Sequence, residues 1–145
     1  MQNVLKKYSK DKMEKIHIEG DPKLKNNPGK QFSMFIGRWQ PWHDGHQWLI
    51  DQRLNEGKRV CIAIRDVEPN TNQPYTPQEV YDNLQIKLFD PIAEGRVKVI
   101  IIPDIESVNY GRGVGYDVIE HVPPADIHEI SATKIRQNLR DEGKL

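Results

Sequence analysis

The sequence has a single cysteine, no long apolar run and no net charge. One cysteine cannot form an internal disulfide, which is consistent with a reducing compartment. The longest purely aliphatic run, Val99 to Ile102, is far too short to span a bilayer, and no apolar segment near Met1 indicates a signal peptide. We therefore expect a cytoplasmic protein with no membrane partner.

The charge balance gives no sign of a nucleic-acid partner. Lysine and arginine together number 21, as do aspartate and glutamate, whereas binding to nucleic acid usually goes with a basic surplus. The charges are unevenly spread, because residues 1–30 carry eight lysines against four acids. We interpret 1–30 as a solvated basic extension and linker, or alternatively as an arm that docks on an acidic partner or another subunit. Residues 31–145 have a suitable length for one domain.

The stretch from Phe32 to Ile50 predicts a short buried strand followed by a helix. Gly37 ends the apolar strand residues, at a point where the backbone must bend or approach another group closely. Asp44 is a candidate N-cap, and the helix should bury a stripe formed by Leu49, Ile50 and Leu54. His43 and His46 are therefore expected at the carboxyl edge of a sheet. There the free N–H groups of a helix N-terminus attract phosphate.

Further strands and helices alternate along the chain. Residues 59–66 and 96–102 read as the second and third strands, the former buried on both faces. Between them, Thr76, Pro77 and Glu79 form a capping box with proline at the first helical position. The buried face of that helix should consist of Val80, Leu84 and Leu88. This alternation predicts an α/β fold with a doubly wound parallel sheet and right-handed crossovers.

Two segments after the third strand are relevant to a site. Residues 109–116, NYGRGVGY, match no phosphate-loop spacing and are interpreted as a substrate-side loop. An alternative, compatible with the first, brings residues 116–121 in as a fourth strand. Ser131 is then a good N-cap for a C-terminal helix whose inward residues are Ile135 and Leu139. Alone, this helix would be an ordinary amphipathic one with Arg136 in solvent.

Three interpretations of His43 and His46 are open from the residues themselves. The imidazoles could satisfy local hydrogen bonds, donate to phosphate, or bind a metal. Zinc needs a third ligand, and Cys61 in its apolar strand is a poor candidate. A set with His121 and His128 is also weak, because those residues flank a proline pair without ligand spacing.

Two segments resemble the signatures of one known family. Residues 37–46, GRWQPWHDGH, resemble the G-R-F-x-P-F-H-x-G-H signature of the HxGH nucleotidylyltransferase superfamily. Residues 130–136, ISATKIR, resemble its second signature, ISxTxxR. The two segments also occur in the order, and with about the separation, that the two signatures have in this superfamily. The resemblance implies a single Rossmann-like domain of the nucleotidylyltransferase type, and within the superfamily GRWQPWH is closer to adenylyltransferases than to cytidylyltransferases.

The resemblance implies transfer of a nucleoside monophosphate, AMP from ATP being favoured, to a phosphorylated small molecule with release of pyrophosphate. The alternatives are a cytidylyltransferase that uses CTP with a sugar or alcohol phosphate, and a non-catalytic nucleotide-binding protein. Catalytic roles fall to His43, His46 and Arg136. Nucleotide-binding roles fall to Gly37, Arg38, Trp39, Gly45, Ser131, Ala132 and Thr133. Substrate-side candidates are Arg65, Asp66, Tyr110, Arg112 and Tyr116. Mg²⁺ is implied with the triphosphate, without a dedicated protein ligand, and a homo-oligomer is expected.

Overall fold

The computed structural model describes residues 31–113 and 115–145. The predicted basic extension, residues 1–30, lies outside the described residues. In chain order the described elements are β1 (Ser33–Gly37), α1 (Asp44–Leu54), β2 (Val60–Asp66), α2 (Pro77–Lys87), α3 (Phe89–Ala93), β3 (Val97–Pro103), α4 (Ala125–His128) and α5 (Ala132–Asp141). None of the helices in this part of the chain is long and apolar enough to cross a membrane.

The three strands form one parallel sheet in the order β1, β2, β3. Phe35 lies opposite Ile62, which lies opposite Val99, so that all three share one face. α1 packs against β2, and α2 packs against both β2 and β3. The fold is therefore an α/β Rossmann-like arrangement, as the alternation of elements predicted. Its parallel strands place all their carboxyl ends at one edge.

The hydrophobic core lies between this sheet and the first two long helices. β2 is buried on both faces over its first five residues, as its continuous apolar run predicted. Ile50 of α1 and Leu84 of α2 are fully buried, and Leu88 is 2% exposed. The apolar residues at helical spacing in α1 and α2 thus form the faces that pack against the sheet.

β1 departs from the prediction of a short buried strand. Its residues alternate between partly buried and exposed, and Met34 is 54% and Ile36 is 39% exposed. The reason is its position, because β1 pairs only with β2 and forms one edge of the described sheet. An apolar run alone does not distinguish such a strand from a central one.

Helix capping follows the sequence at two of the three long helices. Thr76 caps α2 and forms the predicted capping box with Glu79, and Ser131 caps α5 by accepting from the Lys134 N–H at 3.0 Å. At α1 the prediction was wrong, because the N-cap is His43 and Asp44 is the first helical residue. The short helices α3 and α4 were not predicted. Residues 116–121 form no strand in the described structure.

Candidate active site

His43 and His46 lie side by side at the start of α1, held by hydrogen bonds to the backbone. The His43 backbone is extended, and its imidazole Nδ1 accepts from the N–H groups of Gly45 at 3.0 Å and His46 at 3.4 Å. In return, His46 Nδ1 accepts from the His43 N–H at 3.2 Å. This is the reciprocal pattern of a capping box, built from two imidazoles. The two rings stack with their centroids 3.7 Å apart.

These hydrogen bonds determine which nitrogen of each ring carries the proton. A neutral imidazole has one donor and one acceptor nitrogen. Since both Nδ1 atoms accept N–H bonds, both rings in their neutral form carry the proton on Nε2. Each histidine therefore presents an Nε2–H donor whose direction is set by the backbone of α1. The local hydrogen-bonding role and a phosphate-binding role are compatible, because they use opposite nitrogens.

The same bonds correct one expectation about the helix N-terminus. Helix starts attract phosphate through N–H groups that lack an acceptor, yet those of Gly45 and His46 already donate to His43. At the start of α1, the N–H groups of Gly45 and His46 therefore have a protein acceptor, the His43 imidazole. Gly45 is needed because a Cβ there would lie 2.8 Å from Cε1 of the His43 ring.

Two tryptophans fix the position of His46. The Trp39 ring contacts the His46 ring edge to face, with centroids 4.9 Å apart, and the Trp42 centroid is 5.2 Å from it. Trp39 is 6% exposed, and its indole N–H donates to the Ala63 carbonyl of β2 at 3.1 Å. Its φ of +54° lies in the left-handed region that non-glycine residues rarely adopt. This backbone strain is held in place by the buried indole and its hydrogen bond.

Gly37 is required by the same tryptophan. A Cβ at residue 37 would lie 2.9 Å from the Trp39 indole. The expectation that Gly37 permits a close approach is therefore confirmed, and the approaching group is the ring that supports His46.

Arg136 connects the second signature to the first. Its side chain is buried, with 7% exposed, and Nη1 donates to the Gln40 carbonyl at 2.6 Å. Nη2 also donates to the Thr133 hydroxyl at 3.3 Å. A solvent-facing Arg136, the simplest sequence interpretation of this helix, is therefore wrong. Residues 96 positions apart are joined, and α5 is brought to the turn that carries the histidines.

The start of α5 retains donors of its own. Ser131 caps the helix through the Lys134 N–H, which leaves the first-turn amides of Ala132 and Thr133 without intrahelical acceptors. Together with the Arg136 guanidinium, these amides form a group of N–H donors of the kind that binds phosphate.

Gln40 is a site residue that the sequence did not single out. It is 5% exposed, and its amide makes two hydrogen bonds with the backbone of Tyr75, donating to the carbonyl at 2.8 Å and accepting from the N–H at 2.9 Å. The sequence signal that could have identified Gln40 as a site residue is its place inside the first signature, residues 37–46. A cavity of about 250 Å³ lies beside this link and is lined by Trp39, Pro41, Tyr75, Glu79, Val80 and Asn83.

Truncating Gln40 to alanine is expected to lower the free energy of unfolding by about 2 kcal/mol or more. The change leaves the part-buried N–H and C=O of Tyr75 without these partners, and an unsatisfied backbone group costs roughly 1–3 kcal/mol when it is buried. Chemical denaturation measures the loss. Gln78→Ala is the matched control, because Gln78 is exposed and its side-chain amide donates to Asp82 on the surface of α2, and it should change stability by less than about 0.5 kcal/mol. Equal losses in the two variants would contradict the assigned role.

Burial keeps the two histidines neutral at physiological pH. The pKa of His46 is lowered to about 3, chiefly by burial and to a smaller extent by the neighbouring His43. Burial also lowers the pKa of His43, partly offset by the Asp44 carboxylate. Both rings are therefore uncharged near pH 7, in agreement with Nδ1 atoms that accept hydrogen bonds.

This depressed pKa predicts a pH dependence of stability. The unfolded chain, with a histidine pKa of about 6.5, binds more protons than the folded chain between pH about 3 and 6.5. The free energy of unfolding should therefore fall as the pH is lowered through that window. Denaturation at pH 7, 6, 5 and 4 measures the slope. His46→Asn should flatten it, and a variant of the exposed His128, His128→Asn, should keep it. If the free energy of unfolding of His46→Asn falls with pH as steeply as that of the wild type, His46 is not the cause of the pH dependence.

The substrate-side candidates divide into two groups. Arg65 and Asp66 end β2 at the carboxyl edge of the sheet, and Arg65 pairs with Asp104 at 2.6 Å. Tyr110, Arg112 and Tyr116 are exposed, and in the described structure no ring contact or hydrogen bond links them to the histidines. The structure therefore brings together His43, His46, Trp39, Gly37, Gly45 and the start of α5.

The described residues contain no metal centre built from side chains. Among residues 31–113 and 115–145, no three His, Cys, Asp or Glu side chains are grouped so that they could hold a metal ion. Cys61 is buried, and burial raises the pKa of its thiol. The zinc interpretation of the histidines therefore has no support in the described part of the chain.

Three archaeal proteins have sequences related to this one. A protein named nicotinamide-nucleotide adenylyltransferase from Thermococcus sibiricus is 29% identical over 114 residues, which are 76% of this chain and 59% of the relative. This chain is similar to nicotinamide-nucleotide adenylyltransferases. The protein of that name from Thermococcus kodakarensis is 26% identical over 113 residues, 76% of this chain and 58% of the relative. The protein of that name from Caldivirga maquilingensis is 34% identical over 77 residues, which are 51% of this chain and 43% of the relative.

These similarities support a nucleotidylyltransferase family for the chain. The chain spans less than two thirds of the length of each of these relatives. No protein-family model matches it.

Proposed function

We propose that this protein transfers the adenylyl group of ATP to a phosphorylated small molecule and releases pyrophosphate. The observation that carries the proposal is the hydrogen bond from Arg136 to the Gln40 carbonyl. It joins the start of α5, which carries phosphate-type donors, to the turn that carries two oriented imidazoles. The names of the related archaeal proteins favour an adenylyl over a cytidylyl group.

In the proposed reaction, a phosphate oxygen of the acceptor attacks the α-phosphorus of ATP in line. A new bond forms between that oxygen and the α-phosphorus, while the bond from the α-phosphorus to the oxygen bridging to the β-phosphate breaks. The electron pair leaves with pyrophosphate. The attacking oxygen is already anionic and the leaving group departs as the stable pyrophosphate anion, so the protein needs no strong base. Its tasks are to position the reactants and to stabilise charge on the phosphate oxygens.

The site residues suit those tasks. The Nε2–H groups of His43 and His46 are donors fixed by the backbone before any substrate binds, and a preorganised donor does not need to reorient during the reaction. A neutral imidazole donates without depending on pH in the physiological range. We assign His46, which is held between Trp39 and Trp42, to the α-phosphate, and Arg136 with the amides of Ala132 and Thr133 to the β- and γ-phosphates.

Mg²⁺ is part of the proposal as the companion of the triphosphate. Because the described residues supply no cluster of metal-binding side chains, the ion would be held chiefly by phosphate oxygens and water, which Mg²⁺ commonly accepts. When bound, it would offset the negative charge of the triphosphate.

A pyrophosphate-release screen tests the proposal. ATP and CTP are each combined with nicotinamide mononucleotide, other nucleoside monophosphates, sugar phosphates and alcohol phosphates, with His46→Asn as the blank. We expect release that requires ATP and one class of acceptor together and is lost in the blank. Release that requires CTP instead of ATP, together with an acceptor, would indicate a cytidylyltransferase. Binding of ATP by calorimetry without release for any acceptor would indicate a non-catalytic nucleotide-binding protein.

A further inference from the structure

The sheet has a second apolar face, on the side away from the hydrophobic core. Successive side chains of a strand point to opposite faces of a sheet, and Phe35, Ile62 and Val99 face the core. The alternate residues therefore face the other way. We call them the back face, and they are Met34 and Ile36 of β1, Cys61 and Ala63 of β2, and Lys98, Ile100 and Ile102 of β3.

The helices α1 and α2 both lie on the opposite side of the sheet from the back face. The chain moves in one direction, from β1 to β2 to β3, and two right-handed crossovers in the same direction place both helices on one side. Accordingly, Ile50 of α1 and Leu84 of α2 share one hydrophobic cluster, which among the described residues includes no back-face side chain. Parallel sheets are normally covered on both faces, so a layer is missing here.

The back face is exposed where β1 forms the edge of the sheet, with Met34 54% and Ile36 39% exposed. At the carboxyl end of this face, a cavity of about 240 Å³ lies between Ile36, Arg65 and residues 105–108. Arg65 holds that segment in place, because its Nη2 donates to the Ile105 carbonyl at 2.9 Å. The back face therefore has a groove, bounded by β1 and residues 105–108, that can accept apolar side chains.

Residues 1–30 join the sheet at the amino end of β1, next to this groove. Phe32, which immediately precedes β1, has its ring centroid 4.5 Å from the guanidinium carbon of Arg59. Arg59 precedes β2, is 2% exposed, and donates from Nε to the Gly95 carbonyl at 3.0 Å. By alternation along their strands, Phe32 and Arg59 both belong to the back-face side. The residue that connects 1–30 to β1 thus already packs on that side of the sheet.

The length and composition of residues 1–30 suit the groove. Residues 19–30 alone can span about 40 Å when extended, whereas a strand of seven residues is about 23 Å long. Residues 4–18 can therefore reach every part of the back face. Among them are six apolar residues, Val4, Leu5, Tyr8, Met13, Ile16 and Ile18.

Charge and tethering favour this segment over a second copy of the chain. Residues 1–30 carry eight lysines against four acids, and since the whole chain has no net charge, residues 31–145 have an acidic surplus of the same size. The two parts therefore attract each other. A short tether also gives an effective concentration in the millimolar range, which a separate copy at micromolar concentration does not match.

We propose that residues 4–18 cover the back face of their own chain, with their apolar side chains in the groove between β1 and residues 105–108 and their lysines at its rim. The basic extension is then the second layer of the α/β domain and is not simply solvated. It also protects the edge strand β1, whose unpaired backbone groups would otherwise be open to other chains.

The direct test is paramagnetic NMR spectroscopy of the full chain. A nitroxide is attached at Ser9→Cys, in a protein in which Cys61→Ala removes the native thiol, and the isoleucine methyl signals are observed. The signals of the three back-face isoleucines should broaden strongly, whereas that of Ile86, which is 77% exposed on α2, should not. Equal broadening at Ile86 and on the back face, or broadening of neither, would overturn the proposal.

A mixed sample distinguishes the chain's own segment from that of a second copy. Isotope-labelled chains without the nitroxide are combined with unlabelled chains that carry it, so that only contacts between copies can broaden the signals. We expect no broadening of the back-face isoleucines in this mixture. Broadening there would mean that the segment covers a neighbouring copy, and the assignment to its own chain would be wrong.

Thermal denaturation gives an independent test that keeps the native cysteine. Met34→Ser should lower the melting temperature by about 4 °C or more if Met34 is covered, and Ile86→Ser is the matched control, which should lower it by less than about 2 °C. In a chain that also carries Leu5→Ser and Ile16→Ser, the effect of Met34→Ser should shrink to that of the control, because the contact is already lost. An effect of Met34→Ser that is the same with and without these two changes would contradict the proposal.

Discussion

Replacing His46 by asparagine is expected to lower the rate of adenylyl transfer by on the order of a hundredfold or more. The asparagine Oδ1 lies where the imidazole Nδ1 does, so it can still accept from the His43 N–H and preserve the cap of α1. The Nε2–H is lost, and with it the donor assigned to the α-phosphate. Because this interaction strengthens as charge develops in the transition state, the decrease should fall on kcat more than on the KM for ATP.

The control for this variant is His128→Asn, which changes an exposed histidine of α4. It should retain the wild-type rate. Circular dichroism of both variants should match the wild type, which would separate loss of catalysis from loss of folding. A His46→Asn protein with near wild-type kcat would remove His46 from the reaction.

Replacing Arg136 by lysine is expected to lower kcat/KM by on the order of a hundredfold. Arg136 donates simultaneously to the Gln40 carbonyl and the Thr133 hydroxyl, and in the proposed reaction its guanidinium also binds the β- and γ-phosphates. A lysine keeps the charge but has one nitrogen, so it cannot hold the protein contacts and a phosphate in the same geometry. The free energy of unfolding should also fall by about 1.5–3 kcal/mol, because a buried charged hydrogen bond is lost.

The matched control is Arg140→Lys, which makes the same change one turn later on α5, where Arg140 donates to the Thr71 carbonyl near the surface. Its kcat/KM should stay within a factor of a few of wild type. The KM for ATP should rise in Arg136→Lys, since β- and γ-phosphate contacts are made in the ground state too. If stability falls in Arg136→Lys and kinetics do not, Arg136 is structural only.

Much of the fold could be predicted from local chemistry. The three strands follow from apolar runs bounded by Gly37, Asp66 and Pro103, and the capping residues Thr76 and Ser131 mark the starts of two helices. These signals depend on neighbours within one helical turn or one strand, so the sequence contains them directly.

The errors and omissions involve contacts that are distant in sequence. The exposed face of β1 depends on which strands pair with it. The Gln40 contacts with Tyr75 and Arg136 join residues 35 and 96 positions apart. The prediction of the α1 N-cap failed for another reason. Histidine is an unusual N-cap, and Asp44, a more common N-cap residue, is its neighbour in the sequence. The sequence singled out His43 and His46, but it did not show how the backbone hydrogen bonds orient their rings.

The capping box explains the interval between the two histidines. An N-cap residue and the residue three positions later face each other across the first turn of a helix, and Thr76 with Glu79 shows the same interval at α2. The distance between His43 and His46 is therefore dictated by the pitch of the helix, with a glycine between them to admit the first ring. The hydrogen bonds that orient both imidazoles lie within four consecutive residues, so the same reciprocal cap should form at the beginning of an unrelated helix, whereas the packing of His46 also depends on Trp39 and Trp42.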